Sequence, residues 1–368
     1  MRRATLTATA TLAGGTAAAA AAIAAAGRSL SNLVLDPRRT TPAPVRVLSG
    51  GSDHVVLERN PWSALPGTFG LTWSERHTVL GEVVEATDVS VSRTVVAGPT
   101  PPAGTPARLT PALHRGDPGS ALGLEHERLA IKGELGDLPA WYVPAERRTC
   151  VVVVHGIVAG PEHALNVLPL LHDLKLPTVS VTYRGDPGAP PSPDGIRHLG
   201  DTEWRDVDAV LRHAVSHGAH RIVLLGLSTG AAIALQAADR SPVRDRVVGL
   251  VLDSPVLDWR AVLRRQASLR GVPERLLPLG VRSVVRRTGI DLDRFDWVAR
   301  AGDLAVPTLL VHGPDDPAVP WEPTRRLAEL RPDVVMLHRV VHAGHGGMWN
   351  ADPTGYAERL RRFLTALV

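Results

Sequence analysis

From about residue 125 to the C-terminus, short apolar runs alternate with segments that have the periodicity of helices. The apolar runs are rich in β-branched residues and lie at 150–154, 178–183, 221–225, 247–252, 308–311 and 334–340. Between the second and third runs, behind the candidate N-cap residues Asp201 and Thr202, apolar residues recur at the spacing of one helix face. They are Val207, Val210, Leu211 and Ala214. Strands that alternate with helices predict a mostly parallel sheet with helices on both faces.

Two further runs, 129–136 and 138–143, precede this series and are typical of an opening antiparallel pair. We therefore predict an eight-stranded α/β domain over residues 125–368. A segment at about 258–307 separates two of its strands and is long enough for a small helical cap that would wall a pocket and select substrate. Its arginines could bind anionic head groups at a membrane surface, or they could belong to solvated helix faces. These arginines are Arg260, Arg264, Arg265, Arg270, Arg275, Arg282, Arg286 and Arg287.

The part of the chain before residue 125 has a different pattern. Its runs of β-branched residues alternate partly with period two, and they predict a small β-rich module over residues 51–98. The runs lie at 54–58, 68–73 and 79–96. Prolines and glycines among polar residues indicate a linker at 28–50 and a second, Pro/Gly-rich linker at 99–124.

The first 27 residues have the composition of a leader. Arg2 and Arg3 precede an uncharged, alanine-rich stretch from Thr5 to Ala26 that ends in small residues. This pattern predicts either an export signal peptide cleaved near Ala26 or a retained transmembrane helix. A poorly ordered alanine-rich tail is the third interpretation.

Composition and charge narrow the class of protein. Of the 368 residues, 44% are apolar and 21% are charged, so we expect a folded chain of one or two domains. The formal net charge of +4 is spread over the whole length, which argues against nucleic acid as a partner. Cys150 is the single cysteine, so an intrachain disulfide is excluded, and its place beside an apolar run predicts a buried side chain.

One pentapeptide gives the first indication of chemistry. Gly226-Leu-Ser228-Thr-Gly230 follows the predicted strand at 221–225 and precedes an alanine-rich segment that favours a helix. A serine on so tight a turn needs glycines beside it, and the turn raises its hydroxyl above the edge of the sheet. This context makes Ser228 the candidate nucleophile. It also makes the amide of Thr229, at the helix N-terminus, a candidate donor to an oxyanion.

A second oxyanion donor is expected from the loop after an earlier strand. The run at 151–154 leads into His155-Gly156-Ile157, and by position the amide of Ile157 is the candidate. His155 could itself be a base, but hydrogen bonds that hold the loop are the simpler role for its ring.

A catalytic serine also needs an acid that orients its base. The strand at 308–311 leads into two adjacent acids, Asp315 and Asp316, and the spacing within His312-Gly-Pro-Asp-Asp-Pro-Ala-Val-Pro320 favours Asp316. Asp253, which follows the strand at 247–252, is an alternative acid. A capping role before Ser254-Pro255 is its simpler interpretation.

The base is expected after the last strand. This segment contains His342 and His345, and the glycines on either side of His345 free a loop to present its ring. The pattern therefore favours His345 as the base and leaves His342 as the alternative.

Together these motifs resemble those of the α/β-hydrolase superfamily over about residues 125–368. Four motifs carry the resemblance in order: His155-Gly156, Gly226-x-Ser228-x-Gly230, His312-Gly-x-x-Asp316-x-x-Val-Pro320 and Gly344-His345-Gly346. Two more motifs are similar to the bacterial serine aminopeptidase and prolyl oligopeptidase-like branch: Tyr183-Arg-Gly-Asp and Leu252-Asp-Ser-Pro255. The resemblance implies the α/β-hydrolase fold and the order nucleophile, acid, base. Leu227 and Thr229 depart from residues that relatives often carry there, so the substrate class stays open.

These features predict a serine hydrolase that cleaves a carboxylic ester or thioester of a small-molecule acyl substrate through an acyl-enzyme intermediate. Its catalytic residues would be Ser228, Asp316 and His345, and the prediction requires no cofactor or metal. A serine peptidase or aminopeptidase of the same fold is the alternative reaction. A non-catalytic binding protein of the envelope is the alternative from another class. Because of its leader, we expect the protein in a bacterial cell envelope, where it would be either secreted or anchored in the membrane through its N-terminus.

Overall fold

The computed structural model describes residues 25, 27–32, 34–36, 44–157 and 160–368. Its N-terminal unit is a closed barrel of six antiparallel strands in the order β1-β2-β5-β4-β3-β6. The strands are β1 (Pro44–Gly50), β2 (His54–Glu58), β3 (Phe69–Trp73), β4 (Arg76–Ala86), β5 (Ser90–Ala97) and β6 (Pro106–Thr110). Inward-facing side chains such as Val47, Leu57 and Leu71 are fully buried and form the barrel core. The predicted β-rich module is therefore confirmed, and it forms a closed barrel.

The barrel takes two of its strands from segments that the sequence predicts as linkers. β1 lies within residues 28–50 and β6 within residues 99–124, so both linker predictions are wrong there and the module extends beyond 51–98. The two strands pair with each other and close the barrel. Pro44 and Pro106 stand at the first position of their strands, where the missing N–H is tolerated. The proline-rich composition of these two segments thus favours linkers where the structure has strands.

A mixed sheet of eight strands forms the larger unit and has the predicted architecture. Its order is β14-β13-β12-β11-β9-β10-β8-β7. The strands are β7 (Glu127–Lys132), β8 (Asp137–Val143), β9 (Thr149–Val154), β10 (Thr178–Val181), β11 (Arg221–Leu227), β12 (Val247–Asp253), β13 (Thr308–His312) and β14 (Val335–Arg339). β8 is antiparallel to β7 and β10, and the neighbours from β10 to β14 are parallel. Parallel strands end at one edge, where the predicted motifs meet.

Helices cover both faces of this sheet. Val152 and Val154 of β9 face one hydrophobic cluster, and Val151 and Val153 face the other, as alternation along a strand requires. The helices are α1 (Pro118–Leu122), α2 (Leu168–Asp173), α3 (Trp204–Ser216), α4 (Thr229–Arg240), α5 (Trp259–Leu269), α6 (Leu277–Thr288), α7 (Trp321–Leu330), α8 (Met348–Ala351) and α9 (Pro353–Thr365). α3 buries its predicted apolar face. Its N-cap is Glu203 rather than Asp201 or Thr202, and the Glu203 side chain does not cap the helix. The carboxylate of Glu203 instead accepts the N–H groups of His198 and Gly200 in the preceding turn.

The segment predicted as a cap, at about 258–307, is helical and contains α5 and α6. α5 is hydrogen-bonded to the loop that follows Asp316. Arg265 Nε donates to the carbonyl oxygen of Pro317 at 3.1 Å, and Gln266 Nε2 donates to that of Ala318 at 2.9 Å. The cap therefore lies beside the loop of the candidate acid.

The other described residues of the predicted linker at 28–50, namely 28–32 and 34–36, are not a free tether either. Residues 27–32 and 34–35 are helical, and Leu35 is fully buried in a cluster with Trp259 and other residues around the cap. Arg287 of α6 donates from Nη1 to Ser31 Oγ at 2.7 Å. The apolar residues of this segment pack against the cap. A local count of prolines and glycines cannot predict this long-range contact.

The predicted leader, residues 1–27, lies outside the described residues except at positions 25 and 27. Within the part of the chain that is described, no helix combines the length and the apolar character needed to cross a bilayer.

Candidate active site

Ser228 stands on a sharp turn between the end of β11 and the start of α4. Its backbone has φ 55° and ψ −116°, a region that residues with a side chain rarely adopt. A methyl group on Gly226 would lie 2.5 Å from Ala231 Cα, and one on Gly230 would lie 2.0 Å from the carbonyl oxygen of Val154. The turn therefore requires both glycines, and it leaves Ser228 partly exposed at the carboxyl edge of the sheet.

His345 lies on the loop of residues 341–347, between β14 and α8, and faces Ser228. Its Nε2 is 2.7 Å from Ser228 Oγ. The imidazole is 15% exposed, so the pair is not sealed from solvent. At this distance the imidazole can take the proton of the serine hydroxyl.

Asp316 holds the other side of the imidazole. Its Oδ2 lies 2.8 Å from His345 Nδ1, and its side chain is fully buried. The second carboxylate oxygen, Oδ1, accepts the backbone N–H groups of Ala318 and Val319 at 2.8 and 2.9 Å. Because both oxygens are fixed, the carboxylate can hold the ring with Nδ1 towards itself and Nε2 towards the serine.

The proximity of Asp316 and His345 shifts the pKa of each. Burial alone would raise the pKa of Asp316, but the charge of His345 and the hydrogen bonds from His312 and His345 outweigh it and hold that pKa well below its usual range. Burial alone would lower the pKa of His345, but the charge and hydrogen bond of Asp316 outweigh it and raise that pKa above its usual value. The pair thus favours an ionised aspartate beside a basic histidine.

The alternative acid and base next to these residues pair with each other. Asp315 Oδ2 accepts the backbone N–H of His342 at 2.7 Å, and both side chains are exposed. Among the described residues, the hydrogen bonds of the His345 ring go to Ser228 and Asp316. The structure therefore brings together the three residues that the spacing favours and keeps Asp315 and His342 on the surface.

Asp253, the other alternative acid, is buried behind Ser254. Ser254 Oγ donates to Asp253 Oδ1 at 2.7 Å and accepts the backbone N–H of Gly346 at 3.1 Å. Burial raises the pKa of Asp253 to about 6, although the hydrogen bond from Ser254 opposes the shift. Asp253 thus contacts the histidine loop through Ser254. Sequence reasoning gives Ser254 no role of its own, because its left-handed backbone, with φ 49°, becomes apparent only in the folded chain.

The segments that carry the two predicted oxyanion donors meet at Ser228. A methyl group on Gly156 would lie 2.9 Å from Ser228 Cβ, so the chain immediately before Ile157 packs against the nucleophile. Thr229 begins α4, and the first N–H groups of a helix have no acceptor within the helix. The two amides belong to segments that meet at the serine.

His155 has the loop-holding contacts expected of it. It is buried, its Nδ1 lies 2.8 Å from the carbonyl oxygen of Gly156, and its Nε2 lies 3.0 Å from Asp186 Oδ2. Its ring stacks on Tyr183, whose hydroxyl donates to the carbonyl oxygen of His155 at 2.9 Å. Burial alone would lower the pKa of His155, but the charge of Asp186 outweighs it and raises that pKa. The Tyr183-Arg-Gly-Asp motif therefore supports the loop that carries Ile157.

Two family models match separate parts of the chain. Residues 45–110, which comprise nearly the whole barrel, match a domain of unknown function, DUF8805. Residues 151–359 match the alpha/beta hydrolase family.

Individual proteins with detectable similarity include a curated human relative and several solved structures. Human Protein ABHD12B is 28% identical over 235 residues, which are 59% of this chain and 60% of the relative. The chain thus matches less than two thirds of that protein. The Pyrococcus furiosus esterase Pf2001 is 20% identical, with a TM-score of 0.55 over 69% of this chain and 95% of its own. Est1E from Butyrivibrio proteoclasticus is 19% identical, with a TM-score of 0.50 over 65% of this chain and 98% of its own.

The structural similarities establish the fold, and the family model extends over more than half of the chain. Three features of the structure agree with that match: the order of the strands in the sheet, the turn at Ser228 and the position of the histidine loop. The chain belongs to the alpha/beta hydrolase family.

Proposed function

We propose that this protein is a serine hydrolase that cleaves a carboxylic ester or thioester by acyl transfer. The observation that carries the proposal is one continuous series of hydrogen bonds. Ser228 Oγ lies 2.7 Å from His345 Nε2, and His345 Nδ1 lies 2.8 Å from Asp316 Oδ2. A nucleophile, a base and an orienting acid in this order can activate a serine at neutral pH.

In the proposed reaction, Ser228 Oγ attacks the substrate carbonyl carbon while His345 takes the hydroxyl proton. The amides of Ile157 and Thr229 stabilise the oxyanion of the tetrahedral intermediate. His345 then protonates the leaving alcohol or thiol, and the acyl group remains on Ser228. A water molecule, deprotonated by His345, releases the acid and regenerates the serine. Asp316 stabilises the imidazolium in both steps.

An ester or thioester is the favoured substrate because alkoxide and thiolate are better leaving groups than an amide anion, so an amide nitrogen must be protonated before its C–N bond breaks. A hydrolase with one general acid therefore needs less assistance for these substrates than for an amide. Enzymes named as esterases share this fold, among them the Pyrococcus protein described above. A peptidase or aminopeptidase with the same residues is the alternative reaction.

A fluorophosphonate probe tests the proposal, because it reacts with an activated serine and needs no knowledge of the natural substrate. We expect wild type to be labelled and Ser228→Ala to remain unlabelled. Ser216→Ala is the matched control, since Ser216 is exposed on α3 and should leave labelling intact. A folded wild type that is not labelled would contradict the proposal and support a non-catalytic binding protein. Equal labelling of Ser228→Ala would contradict it too, because the probe would then react with a residue other than Ser228.

A panel of p-nitrophenyl esters, acyl thioesters and aminoacyl anilides separates the two reactions. We expect turnover of esters or thioesters to exceed that of anilides by at least about 100-fold, or about 2.7 kcal/mol in transition-state stabilisation. Faster turnover of the anilides would favour the peptidase.

We further propose that the N-terminal leader directs the chain to the cell envelope. Arg2, Arg3 and the uncharged stretch that follows support export, and the described segment that begins at Gly27 contacts α6 through Gly27 and Ser31. Cleavage after Ala26 would therefore leave this packed segment intact. Mass spectrometry of the mature N-terminus in cell fractions tests the proposal. A start near Gly27 indicates a cleaved signal, an intact N-terminus in membranes indicates an anchor, and an intact chain in the cytoplasm excludes both.

A further inference from the structure

The barrel contacts the loop that carries His345. A methyl group on Gly344 would lie 2.2 Å from Leu65 Cδ1, and one on Gly347 would lie 3.2 Å from Phe69 Cε1. Leu65 lies on the loop of residues 59–68 between β2 and β3, and Phe69 begins β3. Barrel side chains therefore cover the glycines immediately before and shortly after the imidazole.

Hydrogen bonds also join the barrel to α8, the helix that directly follows the histidine loop. Thr68 N donates to the carbonyl oxygen of Asn350 at 3.2 Å, and Asn350 Nδ2 donates back to that of Thr68 at 2.6 Å. Asn350 Nδ2 also donates to the carbonyl oxygen of Pro111, just after β6, at 2.9 Å. Asn350 is only 2% exposed, and it lies five residues after His345 in the chain. Its buried amide thus fixes to the barrel the short helix at which the histidine loop ends.

The histidine loop needs such support because of its own composition. Gly344, Gly346 and Gly347 surround His345, and residues 343–347 form neither helix nor strand. Glycines lose more conformational freedom on ordering than other residues, so contacts must hold the imidazole in place. On the hydrolase side, Ser254 Oγ accepts the Gly346 amide. The barrel contacts the loop from another side.

A buried arginine makes the covering loop of the barrel rigid. Arg93 of β5 is fully buried, and its guanidinium donates to the carbonyl oxygens of Ser63, Leu65 and Gly67. Its Nε donates to the carbonyl oxygen of Gly81 at 3.0 Å. Burial lowers the pKa of Arg93 to about 10, although the charge of Glu82 opposes the shift, so the group is charged at neutral pH. One side chain thereby sets the path of the loop on which Leu65 lies.

We propose that the barrel is a positioning device for the active site: Leu65 and Phe69 hold the histidine loop so that His345 faces both Ser228 and Asp316. The proposal rests on the proposed function, and it assigns a role to the barrel, which matches a domain of unknown function. Neither barrel residue touches the reacting atoms in this scheme. They act through the orientation of His345, and a misplacement of about 1 Å can cost about 100-fold in rate.

A double-mutant cycle tests the contact. Gly344→Ala adds a methyl group whose three nearest atoms are side-chain atoms of Leu65. The Gly344 backbone lies outside the left-handed region, so its conformation does not disfavour alanine. We expect Gly344→Ala to lower kcat about 100-fold on a chromogenic ester, with KM little changed. Adding Leu65→Ala to Gly344→Ala should raise kcat at least tenfold above that of Gly344→Ala. Leu65→Ala alone should lower kcat about tenfold relative to wild type. Leu65→Met, which conserves volume, should retain activity.

Leu57→Ala is the matched control because Leu57 is fully buried in the barrel core, in β2 rather than in the covering loop. It should lower the thermal midpoint and leave kcat of the folded enzyme unchanged. The downfield proton NMR signal of the His345 N–H that faces Asp316 gives a second readout. It should broaden or shift in Leu65→Ala and in Gly344→Ala, and remain in Leu57→Ala.

Three results would overturn the proposal: no recovery in the double variant, an unchanged signal and kcat in Leu65→Ala, or an equal loss of kcat in Leu57→Ala. Should wild type hydrolyse no acyl substrate, the proposed function fails, and the NMR comparison still decides whether the barrel positions His345. If Leu65→Ala does not fold, the NMR signal of Gly344→Ala is compared with that of wild type instead. This comparison also decides whether the barrel positions His345.

Discussion

His312 Nε2 lies 3.1 Å from Asp316 Oδ2, the same oxygen that faces His345 Nδ1. On its other side, His312 Nδ1 lies 2.7 Å from Thr324 Oγ1 of α7. With the amides of Ala318 and Val319 on Oδ1, the buried carboxylate of Asp316 therefore has four N–H partners. Such a site favours the ionised acid, which is the form that can stabilise a protonated His345.

Asp316→Asn should reduce kcat/KM about 10⁴-fold, because an amide can neither stabilise the imidazolium nor select the required tautomer of His345. Asp315→Asn is the matched control at the adjacent position. Its carboxylate binds the His342 amide at the surface, so we expect its kcat/KM to stay within about threefold of wild type. Steady-state kinetics on one chromogenic ester compares the two, and a larger loss in Asp315→Asn would reverse the assignment of the acid.

The pH dependence of the reaction should reflect the raised pKa of His345. A general base acts in its neutral form, so kcat/KM should rise with pH and reach half its plateau above the usual histidine pKa of about 6.5. A pH profile of the folded wild type measures the midpoint. A midpoint clearly below 6.5 would show that Asp316 does not dominate the environment of His345.

Gly156→Ala should lower kcat by at least about 100-fold, because the added methyl group would lie 2.9 Å from Ser228 Cβ and displace either the nucleophile or the loop of Ile157. Gly302→Ala is its control, since a methyl group there meets no atom within 4 Å and the backbone is not left-handed. Kinetics and thermal unfolding should be measured together. Equal activity of Gly156→Ala and Gly302→Ala would contradict the position assigned to the oxyanion loop.

Asp253 should impose a pH dependence on stability. Its pKa rises from an unfolded value of about 4 to about 6 in the fold, so folding favours the protonated acid. The stabilisation is present below about pH 4 and is lost as pH rises to about 6. The shift of about two pH units corresponds to roughly 3 kcal/mol in the free energy of unfolding.

Asp253→Asn removes this titration and keeps an oxygen that can accept the hydroxyl of Ser254. The difference in unfolding free energy between variant and wild type should therefore change in favour of the variant from pH 4 to pH 7. Urea unfolding at a series of pH values measures it. A difference that stays constant over this range would show that folding does not change the pKa of Asp253.

Local patterns by themselves determined the α/β sheet, its buried strands and the sharp turn at Ser228. Strand periodicity and the glycines of a tight turn are properties of a few consecutive residues, so they can be identified without tertiary contacts. Local patterns also predicted that the segments with Ser228, Asp316 and His345 meet at one edge of the sheet. Each segment follows a parallel strand, and parallel strands have their carboxyl ends at the same edge.

Only the tertiary structure decided which side chains meet there. Asp315 and Asp316 are adjacent in sequence, and which of them faces His345 depends on the path of the loop after β13. Likewise, β1 and β6 are strands because they pair with each other across the closed barrel, although their prolines argue locally for linkers. The contact of Leu65 with Gly344 joins residues almost 280 positions apart. Such closure and long-range packing depend on the whole folded chain, and no local pattern encodes them.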